Sequence, residues 1–336
     1  LVFSFKFLDP VKYTSIEICA GAGGQAIGLE LAGFDHLALV EIDPKACATL
    51  RLNRPHWNVL HGDIKHFDPQ GLGEIDLLAG GVPCPPFSIA GKQLGHLDER
   101  DLFPEALRIA SICLPKAIML ENVRGILDKK FDAYRQNILQ ELDQLGYQCH
   151  WNLINASDHG VSQLRPRAIL VALKKAYFPY FTWPEKSNIP PMTVGQLLYE
   201  EMRSLGWAGA SEWSQKANNI APTLVGGSKK HGGADLGPTR AKRAWSTLGV
   251  DGAGLADAPP SPDLDRMPRL TLKMAALVQG FPNDWKFAGG KTAAYRQVGN
   301  AFPPPVALAM GKSILEAFSR YEAEKPKVER LQSKIA

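Results

Sequence analysis

In the first half of the chain, short apolar runs alternate with segments whose apolar residues recur at helical spacing. The runs 15–19, 37–40, 59–60, 75–79 and 117–120 predict strands, and 168–173 predicts a sixth. Between them, 25–32, 44–52, 102–113 and 131–145 carry the i, i+3, i+4 pattern of amphipathic helices. Gly33 and Gly146 follow two of these helices as stop signals. The alternation predicts an α/β fold with a parallel sheet and helices on both faces. From about Tyr177 the pattern dissolves. Residues 178–268 are rich in Pro, Gly, Ser and Trp with weak periodicity, which predicts a second, smaller, irregular domain of short strands and loops. Helical spacing returns at 273–279 and 305–318, and the charged tail from Tyr321 reads as a frayed surface helix.

The strands matter because ligands in open α/β sheets bind beyond their carboxyl ends. The first run leads into Cys19-Ala20-Gly21-Ala22-Gly23-Gly24, the second into Glu41-Ile42, and the third into Asp63-Ile64. The fourth leads into Gly81-Val82-Pro83-Cys84 and the fifth into Glu121-Asn122. The polar residues thus gather on one edge. Gly21-x-Gly23 with Glu41 twenty residues on suggests a nucleoside-bearing cofactor, and Asp63 is placed to take an exocyclic amine of its base. These residues alone fit a dinucleotide or S-adenosylmethionine equally. Cys84 stands between prolines at a strand mouth, where a thiol is exposed and directed as a nucleophile requires. Glu121 leaves an apolar strand for a cleft, where a carboxyl can share a proton; the competing reading makes Glu121 or Asn122 a helix N-cap.

Composition narrows the class. A hydrophobic share of 45% with 21% charged residues is that of a soluble globular protein. No apolar stretch is long enough to span a membrane, and the N-terminus lacks a signal-peptide pattern; Leu1 in place of Met reads as a trimmed start. Cys19, Cys47, Cys84, Cys113 and Cys149 form no metal-ligand spacing, so no metal and no disulfide framework is expected. The net charge of +4 allows a polyanionic partner without requiring one. Residues 226–245 hold Lys229, Lys230, Arg240, Lys242 and Arg243 against the single acid Asp235.

Taken in order, these motifs resemble the DNA (cytosine-5)-methyltransferase family of bacterial restriction–modification type. The cofactor loop is Cys19 to Gly24, the nucleophile loop Gly81-Val82-Pro83-Cys84, and the acid motif Glu121-Asn122-Val123. Gln163-Leu164-Arg165-Pro166-Arg167 matches the Q-x-R-x-R motif. Arg269-Leu270-Thr271 with Gln279-Gly280-Phe281-Pro282, then Tyr295-Arg296-Gln297-Val298-Gly299-Asn300-Ala301, match the last blocks. Three positions depart from the pattern: Cys19 where an aromatic is usual, Pro85 where Gln is common, and Met274 in place of a glutamate.

The resemblance implies a Rossmann-like, S-adenosylmethionine-dependent methyltransferase sheet with helices on both faces and a small irregular target-recognition domain. The catalytic domain would comprise 12–177 and 269–320, the target-recognition domain 178–268, and the charged tail 321–336. It implies methyl transfer to carbon 5 of a cytosine swung out of duplex DNA, since that carbon is inaccessible in the stack. Cys84 would add to C6 and make C5 nucleophilic. Glu121 would bond N3 and the exocyclic amine, Arg165 would hold O2, and Arg167 would support Arg165. Cofactor contacts fall to Cys19, Ala20, Gly21, Gly23, Gly24, Glu41, Ile42, Asp63, Ile64, Pro83, Leu102, Asn300 and Phe302. DNA contacts fall to Ser88, Thr223, Lys229, Lys230, His231, Arg240, Lys242 and Arg243. A monomer in the bacterial cytoplasm, acting on double-stranded DNA, is expected. The competing functions are an RNA cytosine-5 methyltransferase, a nicotinamide-dependent dehydrogenase and an inactive DNA-binding relative.

Overall fold

The computed structural model describes residues 13–83, 101–227 and 233–335, the stretch 326–335 in backbone only. Cys84, Ser88, Lys229, Lys230 and His231 lie outside the described residues. Among the described residues the strands are β1 (Tyr13–Ile18), β2 (Phe34–Glu41), β3 (Val59–His61), β4 (Leu77–Gly80), β5 (Ala117–Val123), β6 (Tyr147–Asn155) and β7 (Pro166–Lys174). They form one sheet in the order β3-β2-β1-β4-β5-β7-β6. The first five are parallel, as expected, but β7 runs antiparallel to both β5 and β6. The expectation of a parallel sheet is corrected there. β6 was not predicted, because as an edge strand it buries only Tyr147 and Ile154 and exposes Gln148, His150 and Leu153.

Alternation within each strand builds two apolar faces. Leu78, Ile118, Leu120, Leu170 and Ala172 face one side, where α3 (Phe103–Cys113) and α4 (Asp132–Gln144) bring Phe103, Ile109, Ile138 and Leu142. Leu77, Ala79, Met119, Ile169 and Val171 face the other, covered by α1 (Gly24–Ala32) and α10 (Pro304–Ile335) through Leu29, Val306, Met310, Ile314 and Phe318. The predicted tail helix is thus the continuous end of α10. α2 (Pro44–Asn53) joins β2 to β3.

The irregular region is helical instead of stranded. It contains α5 (Val194–Arg203), α6 (Ala210–Lys216) and α7 (Thr239–Thr247). Its only strand-like pairings among the described residues are the isolated bridges Gln163↔Ala221 and Ala256↔Thr271. Val194, Leu198, Met202, Trp213 and Trp245 pack into one core with α8 (Leu272–Gln279) and α9 (Lys291–Asn300). Met274, where a glutamate is usual, accepts the Thr271 N–H on its sulfur at 3.4 Å, while Thr271 Oγ1 accepts the Met274 N–H. A thioether therefore completes this capping box.

Candidate active site

The cofactor loop begins where β1 ends. Cys19 adopts a left-handed φ of +53° and Gly23 one of +86°, folding the chain back before α1. Gly24 allows the loop to approach the turn between α9 and α10: a Cβ there would lie 2.2 Å from the Phe302 carbonyl oxygen. Glu41, buried at the end of β2, fixes the loop from the side. Its carboxylate accepts the Gly21 N–H and the Asp43 N–H, each at 2.7 Å. Asp63 sits at the end of β3, accepting the Lys65 N–H at 3.0 Å.

Two adjoining clefts open at these strand ends and share Cys19 and Glu41. The first also holds Ala20, Gly21, Gly24, Asn300 and Phe302; the second adds Ile42, Asp63, Ile64, Pro83 and Leu102. Every expected cofactor residue lines one of them except Gly23, whose Cβ position points at Leu50 and Trp285 in the core. Sequence reasoning missed Glu17 and Gln25, both buried and both lining the first cleft. Among the described residues, Glu17 Oε2 and Gln25 Nε2 have no partner. Burial, reinforced by Glu41, raises the Glu17 carboxyl well above its usual value. The visible signal was a carboxylate inside the apolar run of β1.

These features select among nucleoside cofactors. Glu41, Asp43 and Glu121 make the first cleft acidic, with Glu17 as a buried carboxyl that a cation would ionise and Arg296 as the cation among the described lining residues. Such a cleft disfavours a pyrophosphate, whereas a cationic methionyl end matches an orphaned carboxylate oxygen. Ile42, Ile64, Leu102 and Pro83 give the second cleft apolar walls for a purine, beside Asp63. The residues present fit S-adenosylmethionine.

At the far end of the first cleft, Glu121 and Arg167 form an ion pair of 2.6 Å, each side chain 13% exposed. Glu121 Oε2 lies 3.3 Å from where a Cβ on Gly81 would stand. Asn122 donates to the Val82 carbonyl at 2.9 Å, and Leu102 N–H donates to the Pro83 carbonyl at 3.2 Å. Both bonds hold the chain just before Cys84. The short turn Arg124–Leu127 has Val123 at its N-cap position and no side-chain cap, while Asn122 Oδ1 accepts the Val123 N–H at 2.8 Å, the local backbone role open to it.

Arg165 does not reach this end of the cleft. It is 1% exposed and donates to the carbonyl oxygens of Leu224, Gly299 and Ala301, each at 2.9 Å. Arg167 thus meets the acid, and Arg165 binds backbone carbonyls. Thr223 donates its hydroxyl to the Leu164 carbonyl. Arg240 and Arg243 are exposed on α7, while Lys242 is paired with Asp235 at 2.9 Å. Among the described residues there is no group of three metal-ligating side chains, and no helix is long and apolar enough to cross a membrane.

A nucleoside-sized cleft at the β1/β4 switch point, an antiparallel seventh strand and an acid beside the chain that leads to Cys84 are the features of a nucleoside-cofactor methyltransferase fold. Residues 13–316 match the C-5 cytosine-specific DNA methylase family, and the chain belongs to it. It is a DNA methyltransferase that uses S-adenosylmethionine. The type II methyltransferase M.NgoMIV of Neisseria gonorrhoeae is 55% identical over 313 residues, covering 92% of this chain and 99% of the relative. M.NaeI of Lentzea aerocolonigenes is 56% identical over 313 residues, covering 90% and 75%. A DNA modification methyltransferase encoded in an E. coli prophage shares the fold, with a TM-score of 0.65 at 23% identity over 91% of this chain and 99% of that one. These findings set aside the dehydrogenase reading.

Proposed function

We propose that the chain methylates carbon 5 of a flipped-out cytosine within a specific duplex sequence, through a covalent bond from Cys84 to C6. The observation that carries this reading is the Glu121–Arg167 pair beside Gly81, three residues before Cys84. Bound in the two clefts, S-adenosylmethionine supplies a methyl group on its sulfonium. Glu41 and Asp63 would hold its ribose and base, and Glu17 its ammonium.

Cys84 attacks C6 as a thiolate, and the electron pair of the C5–C6 bond moves toward C5. Glu121 bonds N3 and the exocyclic amine, stabilising the charge that develops on the ring, and Arg167 holds O2 while orienting Glu121. C5 takes the methyl group as the sulfonium–methyl bond breaks and leaves S-adenosylhomocysteine. Water takes the C5 proton, and the electron pair of that C–H bond re-forms the C5–C6 double bond as Cys84 leaves C6 as a thiolate.

In this reading residues 12–177 and 269–320 are the catalytic domain, and 178–268 the target-recognition domain. Thr223 supports that domain's root, and Arg240 and Arg243, with Lys229, Lys230 and His231, face phosphates and groove. The identity to M.NgoMIV and M.NaeI runs over nine-tenths of the chain, which supports a type II restriction–modification role in the bacterial cytoplasm.

The test is methyl transfer from labelled S-adenosylmethionine to duplexes carrying the target sites of those two relatives, with transfer RNA as the competing substrate. Transfer to DNA that disappears in Cys84→Ser, with DNA binding retained, is the expected result. Full turnover by Cys84→Ser removes the covalent mechanism, and transfer to RNA alone removes the DNA reading.

A further inference from the structure

The segment 221–227 is tied along its length to the catalytic body. Leu164 N–H donates to the Ala221 carbonyl at 2.7 Å, Leu224 N–H donates to Gln163 Oε1 at 2.8 Å, and the Leu224 carbonyl accepts from Arg165. Its far end rests on the last turn of α9. Asn300 Nδ2 donates to the Gly227 carbonyl at 3.2 Å. The two backbones touch: a Cβ on Gly299 would lie 2.4 Å from Gly226 N, and one on Gly226 would lie 2.5 Å from Asn300 Oδ1 and 2.6 Å from the Arg296 carbonyl.

Asn300, Ala301 and Arg296 also line the cofactor cleft. Arg165 binds Gly299 and Ala301 with the same guanidinium that binds Leu224. Gln279 donates to the Ala301 carbonyl and accepts from Gln163, closing a buried circuit around the strap. On its outer side Val225 packs against Gly237, next to Pro238 at the start of α7, where Arg240 and Arg243 stand exposed. One seven-residue strap thus bears on the cofactor cleft wall and on the root of a cationic helix.

We infer that Asn300 is a positioning residue that couples cofactor occupancy to DNA grip through the 221–227 strap. A ligand packed on Asn300 and Ala301 fixes the α9–α10 turn, the turn fixes the strap, and the strap sets α7. Coupling of this kind is reciprocal and is commonly about 5- to 150-fold in affinity. The inference rests on the reading that α7 faces DNA.

The experiment is a binding cycle on the full chain, with S-adenosylhomocysteine and a duplex carrying the M.NgoMIV target site. In the parent, S-adenosylhomocysteine should tighten the duplex by at least about 5-fold, and the duplex should tighten S-adenosylhomocysteine by the same factor. Gly226→Ala wedges the joint without touching either ligand and should bring the factor below about 2-fold. The factor is a ratio within each variant, so any change in affinity for S-adenosylhomocysteine alone does not enter it. Asn300→Asp removes the donor at an exposed position and should lower the factor in the same way. A parent factor of one, or a factor unchanged in both variants, overturns the inference and leaves the proposed function standing. Failure of the parent to bind the duplex in either state overturns both.

Discussion

Arg167 and Glu121 meet across the antiparallel seam of the sheet. Val123 pairs with Arg167 and Glu121 with Ile169, so the two charged side chains are diagonal neighbours on one face. The reversal of β7 creates that diagonal by bringing its first residues back over the end of β5. The chain therefore places this acid and this cation on neighbouring strands, beside Gly81.

The ion pair predicts a joint kinetic defect. Glu121→Gln and Arg167→Ala should each lower single-turnover methyl transfer by roughly a hundred- to a thousandfold, the loss typical of one preorganised electrostatic contact. S-adenosylhomocysteine affinity should be retained in both. The double variant should lose much less than the product of the two single losses, because the residues act as one unit. Rapid-quench measurement of the three variants checks this, and multiplicative losses would show the pair to be independent.

Arg165 predicts the opposite phenotype. Removing its guanidinium strips its bonds from the buried carbonyl oxygens of Leu224 and Gly299 and leaves Ala301 with its Gln279 bond, at the junction of β7, the strap and the α9–α10 turn. Arg165→Met should destabilise the protein by roughly 3–5 kcal/mol. Thermal melting should show a marked fall in Tm for this variant, and a smaller fall for Arg167→Ala, whose unpaired Glu121 faces the open cleft. Equal melting temperatures for the two variants would remove the division of roles.

The partners of the two arginines are hidden from sequence for a plain physical reason. Arg165 is set by carbonyls at positions 224, 299 and 301, distant in sequence and invisible to any local pattern. The strand ends were legible because each short apolar run stops at a polar residue, as at Glu41, Asp63 and Glu121. β6 was not, since its pleat exposes His150 and half-buries Trp151, masking the strand period. The second region does carry one readable signal. Thr193 and Gln196 form a capping box ahead of Val194, Leu198 and Met202, whose i, i+4, i+8 spacing marks α5. Pro and Gly on either side hide it.

The cations of α7 divide into exposed and internally paired. Arg240 and Arg243 are exposed, whereas Lys242 is held by Asp235, whose carboxyl is lowered by its bonds to Lys242 and the Gly237 N–H, against the effect of burial. Removing one phosphate-binding cation should flatten the log–log salt dependence of DNA binding by about 0.9. Arg240→Ala with Arg243→Ala should therefore reduce the slope by roughly 2, and Lys242→Ala should leave it unchanged. Fluorescence anisotropy across a salt series measures this. A slope change for Lys242→Ala alone would mean that DNA draws the lysine away from Asp235.

His36 predicts how stability responds to acid. The ring is buried, with Nδ1 2.8 Å from Ser15 Oγ, Nε2 3.0 Å from the Ala26 carbonyl, and Trp57 edge-on at 5.1 Å. Burial lowers its pKa below the usual 6.5, although the bond to Ala26 opposes the shift. The folded state therefore binds fewer protons than the unfolded state once the unfolded histidine begins to protonate. Stability from this group is fully present above pH 6.5 and is lost as pH falls from there toward the lowered folded value. Urea denaturation between pH 7.5 and pH 5 should show a steeper loss for the parent than for His36→Gln, which keeps polar atoms but has no titrating ring. Parallel curves for the two proteins would mean that His36 titrates alike in the folded and unfolded chains, contrary to its sealed position under β1 and α1.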